Sequence, residues 1–160
     1  MELVVGVAFM LIAIAAMLGA FWTQMTLNEH ARNRTWASND ASRVMERVRQ
    51  QNTGAACVAP SLAAPAGFAT WDAWLADTTV NGGGGKSVQP DPGVNELVVV
   101  TPQGSDPVTI TVAICWRNRS RTLGECTWNG AALSADPGAG GNPAITESPV
   151  MLSTLVTCRR

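Results

Sequence analysis

Four cysteines, Cys57, Cys115, Cys126 and Cys158, are the residues of this chain best equipped for covalent chemistry. An even count suits an oxidising compartment and two disulfides. Zinc is the rival use, but no two of them have CxxC spacing, and the single histidine, His30, is far from them all. Three pairings are open. The preferred one joins Cys115 to Cys126 across a hairpin and Cys57 to Cys158, the second link closing a loop of about 100 residues and contributing on the order of 4 to 5 kcal/mol.

Other chemistry is thinly represented. With one histidine no Ser-His-Asp or Cys-His set is convincing, and no pair of carboxylates stands out, so the reading is not an enzyme, with no cofactor and no metal. The stretch Asn81-Gly82-Gly83-Gly84-Gly85-Lys86-Ser87 has the look of a phosphate-cradling loop. Val80 stands where that motif requires its first glycine, no apolar strand precedes it, and Gln89-Pro90 opens a helix poorly. The expectation is a flexible surface loop. Arg117, Arg119 and Arg121 alternate beside Trp116 and read as a solvated strand face around a hairpin tip. His30 reads as a solvated helix residue, and the sequons at Asn33 and Asn118 are short enough to arise by chance. A net charge of −1 over 160 residues argues against nucleic acid as a partner.

The elements that must position these residues begin with an unbroken apolar run from Leu3 to Trp22. About 20 helical residues cross the hydrocarbon of a bilayer, so this run is long enough to span one, with Trp22 as an interface anchor. It has no basic stretch ahead of it and no small-x-small cleavage site behind it, and reads as a retained segment. Thr23 to Gln51 contains no Gly or Pro, and Trp36, Ala37, Ala41, Val44, Met45 and Val48 recur at three- and four-residue steps in one apolar stripe. Arg32, Arg34, Asn39, Asp40, Arg43, Glu46, Arg47 and Arg49 mostly take the other faces. The helix is expected to end at Asn52-Thr53-Gly54, with Gly54 as a left-handed cap. One helix of roughly 50 residues would be about 75 Å long.

Residues 55–160 then form a disulfide-linked, β-rich domain large enough for one core. Thr70 caps a short helix through Trp71, Trp74 and Leu75, and 78–93 is turn-rich loop. Strand patterns follow at Glu96 to Thr101, Val108 to Arg117, Thr122 to Trp128 and Val150 to Cys158. Asn129 to Pro149 is small and turn-rich. The fold class is α+β: a long N-terminal helix (1–54, of which 1–22 is membrane or filament core) packed on a small antiparallel sheet.

Glu2 stands apart, because a carboxylate at the head of a lipid-seeking helix is costly. It can sit among headgroups; in a bundle of such helices it needs a cation, and a neighbouring subunit's α-amino group is the obvious one. The start Glu2-Leu3-Val4-Val5-Gly6-Val7-Ala8-Phe9-Met10, the helical pattern through Asp40-Ala41-Ser42-Arg43-Val44-Met45-Glu46 and the cysteine-bearing tail together resemble a bacterial type IV pilin or type II secretion pseudopilin. The family carries its Glu a few residues further from the mature start, and often a helix-bending proline where this chain has Gly19.

The resemblance implies a filament subunit whose assembly residues are Glu2, Leu3, Phe9 and Gly19. Its partners would be other copies of the chain in a helical polymer, a pilus assembly machinery and a prepilin peptidase, with the cytoplasmic membrane holding the subunit beforehand. It places the chain in an extracellular pilus, in a family of filaments that serve adhesion and motility. The alternative reading is a single-pass membrane protein with an extracytoplasmic binding domain that does not polymerise.

Overall fold

The computed structural model of the chain describes residues 2–53, 60–88, 96–104, 107–118, 121–124, 126–136, 145–146 and 150–158. A long helix, α1 (Glu2–Gln51), is followed by a short one, α2 (Trp71–Ala76), and by seven strands among the described residues: β1 (Leu97–Gln103), β2 (Val108–Asn118), β3 (Arg121–Leu123), β4 (Cys126–Trp128), β5 (Leu133–Ala135), β6 (Ile145–Thr146) and β7 (Met151–Val156). The architecture is α+β, a long apolar-headed helix packed on a small, mainly antiparallel sheet. By compactness the chain divides into two units, 1–32 and 33–160, so the second half of α1 belongs with the β-rich part.

In the second unit β2 is the central strand, because its sequence alternates over a long span. Val108, Ile110, Val112, Ile114 and Trp116 are all buried in one core, while Thr109 and Thr111 between them stay partly exposed. β1 pairs with it antiparallel, setting Val98 opposite Ile114 and Val100 opposite Val112. β7 pairs along the start of β2, with Val156 opposite Val108 and Leu152 opposite Val112. β3 pairs with the end of β2, and β6 runs parallel to β3. β4 and β5 form a separate hairpin.

Ala37, Ala41, Val44, Met45 and Val48 of α1 pack into the same core as this sheet, the face predicted by the helical period. Trp36 does not join them: it lies 36% exposed, one step off the stripe's centre. Asp40, expected on a solvated face, is fully buried. At the end of α1 the side chain of Asn52 does the capping. It donates to the carbonyls of Val48 (2.7 Å) and Ser61 (2.9 Å) and accepts from the Ser61 N–H (2.5 Å), so it stops the helix and fastens the returning chain. Gly54, the expected cap, lies outside the described residues.

The short helix α2 begins as predicted, with Thr70 accepting from the Ala73 N–H at 3.0 Å. Its two indoles meet edge to face, 5.7 Å apart, and each N–H finds a carbonyl: Trp71 to Leu62, Trp74 to Asn81.

Four expectations about loops and strands need correction. The glycine run is not a loose loop: the N–H groups of Gly83 and Gly85 donate to the α2 carbonyls of Trp74 (2.7 Å) and Leu75 (2.9 Å), satisfying the end of that helix. A Cβ on Gly83 would come within 2.7 Å of the Leu75 Cα, so the glycine is required for close approach rather than for flexibility. The single strand expected from Thr122 to Trp128 is two, broken at Gly124. Two short strands, β5 and β6, occupy the stretch read as turns, and the β3–β6 pairing is parallel where only antiparallel pairs were expected.

Gly124 sits where the chain doubles back against β2. Its φ is +105°, and a Cβ would meet the Cys115 Cβ at 2.4 Å. The tight passage brings Cys126 beside Cys115, and the two are joined in a disulfide with Cα atoms 6.2 Å apart. Cys158 is disulfide-bonded as well, and its predicted partner Cys57 lies outside the described residues. Replacing Gly124 with Ala adds left-handed strain to a steric clash and is expected to destabilise the chain by about 2 to 5 kcal/mol. Denaturant unfolding in detergent measures this; a change below about 1 kcal/mol would contradict the role given to the glycine.

Candidate functional site

The first unit is the apolar half of α1. Every residue from Leu3 to Trp22 is exposed, including Leu3 at 80%, Phe9 at 69% and Trp22 at 68%. The most apolar window has mean hydropathy 2.7 with none of it buried. A monomer in water rarely leaves so long an apolar surface uncovered, and the helix is long and apolar enough to cross a membrane. It is compatible with membrane association.

Of the predicted assembly residues, Glu2 opens α1, and Leu3, Phe9 and Gly19 follow along the same helix. A carboxylate in a first helical turn is favoured by the helix dipole. Gly19 does not interrupt the helix; its carbonyl accepts both its helical bond and the Thr23 hydroxyl at 3.0 Å. A Cβ at Gly6 or Gly19 would touch nothing within 4 Å, so neither glycine serves packing inside the chain. What each offers is a place where another helix can approach closely.

In the second unit a polar clamp fixes α1 against the β-rich part. The Asp40 carboxylate accepts from the Ser87 N–H and from the Ser87 hydroxyl, both at 2.7 Å, and is paired with the Arg43 guanidinium one turn on. Arg43 in turn donates to the carbonyls of Gly83 and Gly85 (2.5 and 2.9 Å). The helix is thereby held through main-chain atoms, which no neighbouring side chain can replace. Sequence reasoning missed this. Asp40 sits at a three-residue step from Ala37 and Val44 lies four beyond it, so it occupies the apolar stripe; that placement was the available signal.

A second buried carboxyl, Glu96, lies directly behind the clamp. It is 1% exposed and accepts from the Val88 N–H at 3.0 Å, the amide next to the one that binds Asp40. Burial, and then the charge of Asp40, push its pKa up to about 8. The Val88 N–H and the Lys86 charge act in the opposite direction and are outweighed. Lys86 donates to an Asp72 carboxylate oxygen (2.7 Å) and to the Glu96 carbonyl (2.5 Å), while Asp72 also accepts from the Val98 N–H (3.0 Å).

Among the other residues singled out, Asn33 is 2% exposed, which withdraws its sequon from modification in the folded chain. Arg117 lies over the Trp128 ring at 4.4 Å, so it is held by an indole rather than simply solvated. Arg119 lies outside the described residues.

Two outcomes follow from the clamp. Asp40→Ala leaves the Ser87 amide without its acceptor and Arg43 without its carboxylate, though still on the Gly83 and Gly85 carbonyls; because Arg43 is partly exposed, we expect a loss of about 2 to 4 kcal/mol by denaturant unfolding, with under about 1 kcal/mol counting against the clamp. The Glu96 carboxyl, raised from its ordinary 4.5 to about 8, binds its proton more tightly in the folded chain than in the unfolded one. Its contribution to stability is therefore complete below about pH 4.5 and is lost as pH rises toward 8. Unfolding midpoints measured across that window should fall in the wild type and fall less in Glu96→Gln; parallel curves would contradict the assignment. Compared with known family models, curated proteins and solved structures, the chain shows no match, and the reading of its function rests on this geometry.

Proposed function

We propose that the chain is a structural subunit of an extracellular filament of the type IV pilus kind, polymerising through the apolar half of α1. The observation that carries the reading is the uncovered apolar surface from Leu3 to Trp22, built into the same helix whose later residues pack in the core of the β-rich part. Such a surface is satisfied either by lipid or by sister helices, and a subunit that moves from one to the other needs both to be acceptable. Before assembly the segment holds the subunit in the cytoplasmic membrane, after processing by a prepilin peptidase. In the filament the same segments bundle, and the β-rich parts form the outer surface.

Glu2 gives the polymer its register. A carboxylate among apolar helices costs several kcal/mol unless it meets a cation, so the axial offset that sets Glu2 against a neighbour's terminal amine is favoured over others. Leu3 and Phe9 supply the apolar contact and Gly19 a point of close helix approach.

Sheared cell-surface material, viewed by negative stain and identified by mass spectrometry, tests the reading. Fibres containing this chain are expected, and Glu2→Ala should lower their yield at least about tenfold while the chain stays in the membrane fraction. If the chain is missing from such fibres and remains wholly membrane-bound, the single-pass receptor-like alternative is the better description. Normal fibres from Glu2→Ala would overturn the register argument.

A further inference from the structure

Along α1 from Ser42 to Gln50 lies a cavity of about 760 Å³, walled on its other sides by Pro65, Trp74 and the turn from Val80 to Gly83. That is the size of a small-molecule site, and its walls combine apolar groups with a few charged ones, as such sites do. Two arginines four residues apart share it, and they differ in state. Arg43 is engaged by Asp40 and by the carbonyls of Gly83 and Gly85. Arg47 pairs with no carboxylate among the described residues, and its buried Nε has no acceptor among them. An N–H donor buried without an acceptor is costly, so the cavity wall holds a cation that the chain's own groups leave unsatisfied.

We propose that this cavity binds a carboxylate carried on a small apolar body, with Arg47 as the cation that holds it. A guanidinium takes a carboxylate through two parallel N–H bonds, and a turn of the Arg47 side chain toward the cavity brings Nε out to make one of them. Val80, 98% exposed, forms the apolar wall with Pro65 and Trp74. Glu46 lines the same cavity, its carboxylate accepting from the Gln50 amide at 3.3 Å. That negative charge repels a dianion more than a monoanion, which selects a carboxylate over a phosphate. All of these residues belong to the second unit, and the proposal is the same whether the apolar half of α1 meets lipid or sister helices.

The test titrates the isotope-labelled full chain, in a nonionic detergent, with phenylacetate and follows the indole N–H signals by NMR. The reporter is Trp74, whose N–H is bonded to the Asn81 carbonyl at 3.1 Å in the cavity wall; Trp74→Phe assigns its signal. A saturable shift in the millimolar range is expected. Phenylacetamide, similar in shape but uncharged, and inorganic phosphate should each bind at least about tenfold more weakly. Arg47→Gln should weaken phenylacetate by at least about tenfold with the other indole signals in place. Arg49→Gln, exposed on the same helix and outside the cavity wall, should leave binding unchanged. Absence of a saturable shift overturns the proposal, as does equal binding of the amide. Equal losses in Arg47→Gln and Arg49→Gln would mark a general attraction of charge and overturn it as well, and phosphate binding as tightly as phenylacetate overturns the ligand class.

Discussion

One buried carboxylate organises the β-rich unit. Asp40 sits with no exposure in the middle of the apolar stripe of α1 and takes the Ser87 N–H, the Ser87 hydroxyl and the Arg43 guanidinium as its partners. Apolar stripes attract without direction, and a helix held by Ala37, Ala41, Val44 and Val48 alone has several rotations and offsets of similar energy. An ion in the same interface removes that freedom, because every placement but one leaves it unpaired. The arrangement then propagates. Ser87 fixes Val88, Val88 holds Glu96, and Glu96 leads straight into β1, so helix position and strand position are set by adjoining amides.

Much of this architecture was legible from residue types and spacing. The helical period located the packed face of α1, the alternation from Val108 located the central strand, and Thr70 located the start of α2. The cysteine pattern anticipated the link between Cys115 and Cys126. What escaped was decided by contacts between residues far apart in the chain. Asp40 and Glu96 are charged, and a charged residue is ordinarily exposed unless a partner is available; the partners here are main-chain amides near residue 87, which no local pattern reveals. The glycine run read as flexible because composition records permissiveness and not use. In the fold its lack of side chains is spent on close approach to Leu75. Gly124, where the predicted strand from Thr122 to Trp128 divides, has the same cause, a neighbouring backbone too near for a Cβ. Trp36 was placed on the apolar stripe by period alone, and in the fold it lies at the rim, 36% exposed.

The apolar half of α1 was the opposite case, fully visible in the sequence and unaltered by the fold. Its residues make no tertiary demands on the chain; their consequences lie entirely with whatever surrounds them. That is why the residues proposed for assembly are placed along a helix and are known by their order on it.

The short helix α2 carries a consequence of a different kind. Six residues are too few to persist as a helix in water, since nucleation costs more than so few hydrogen bonds return. Its carbonyls at Trp74 and Leu75 are closed by amides of Gly83 and Gly85, and its Asp72 by Lys86 and Val98. Helix, glycine run and the entry to β1 therefore open and close as one cooperative unit, and a fluctuation that frees any of the three exposes all of them at once.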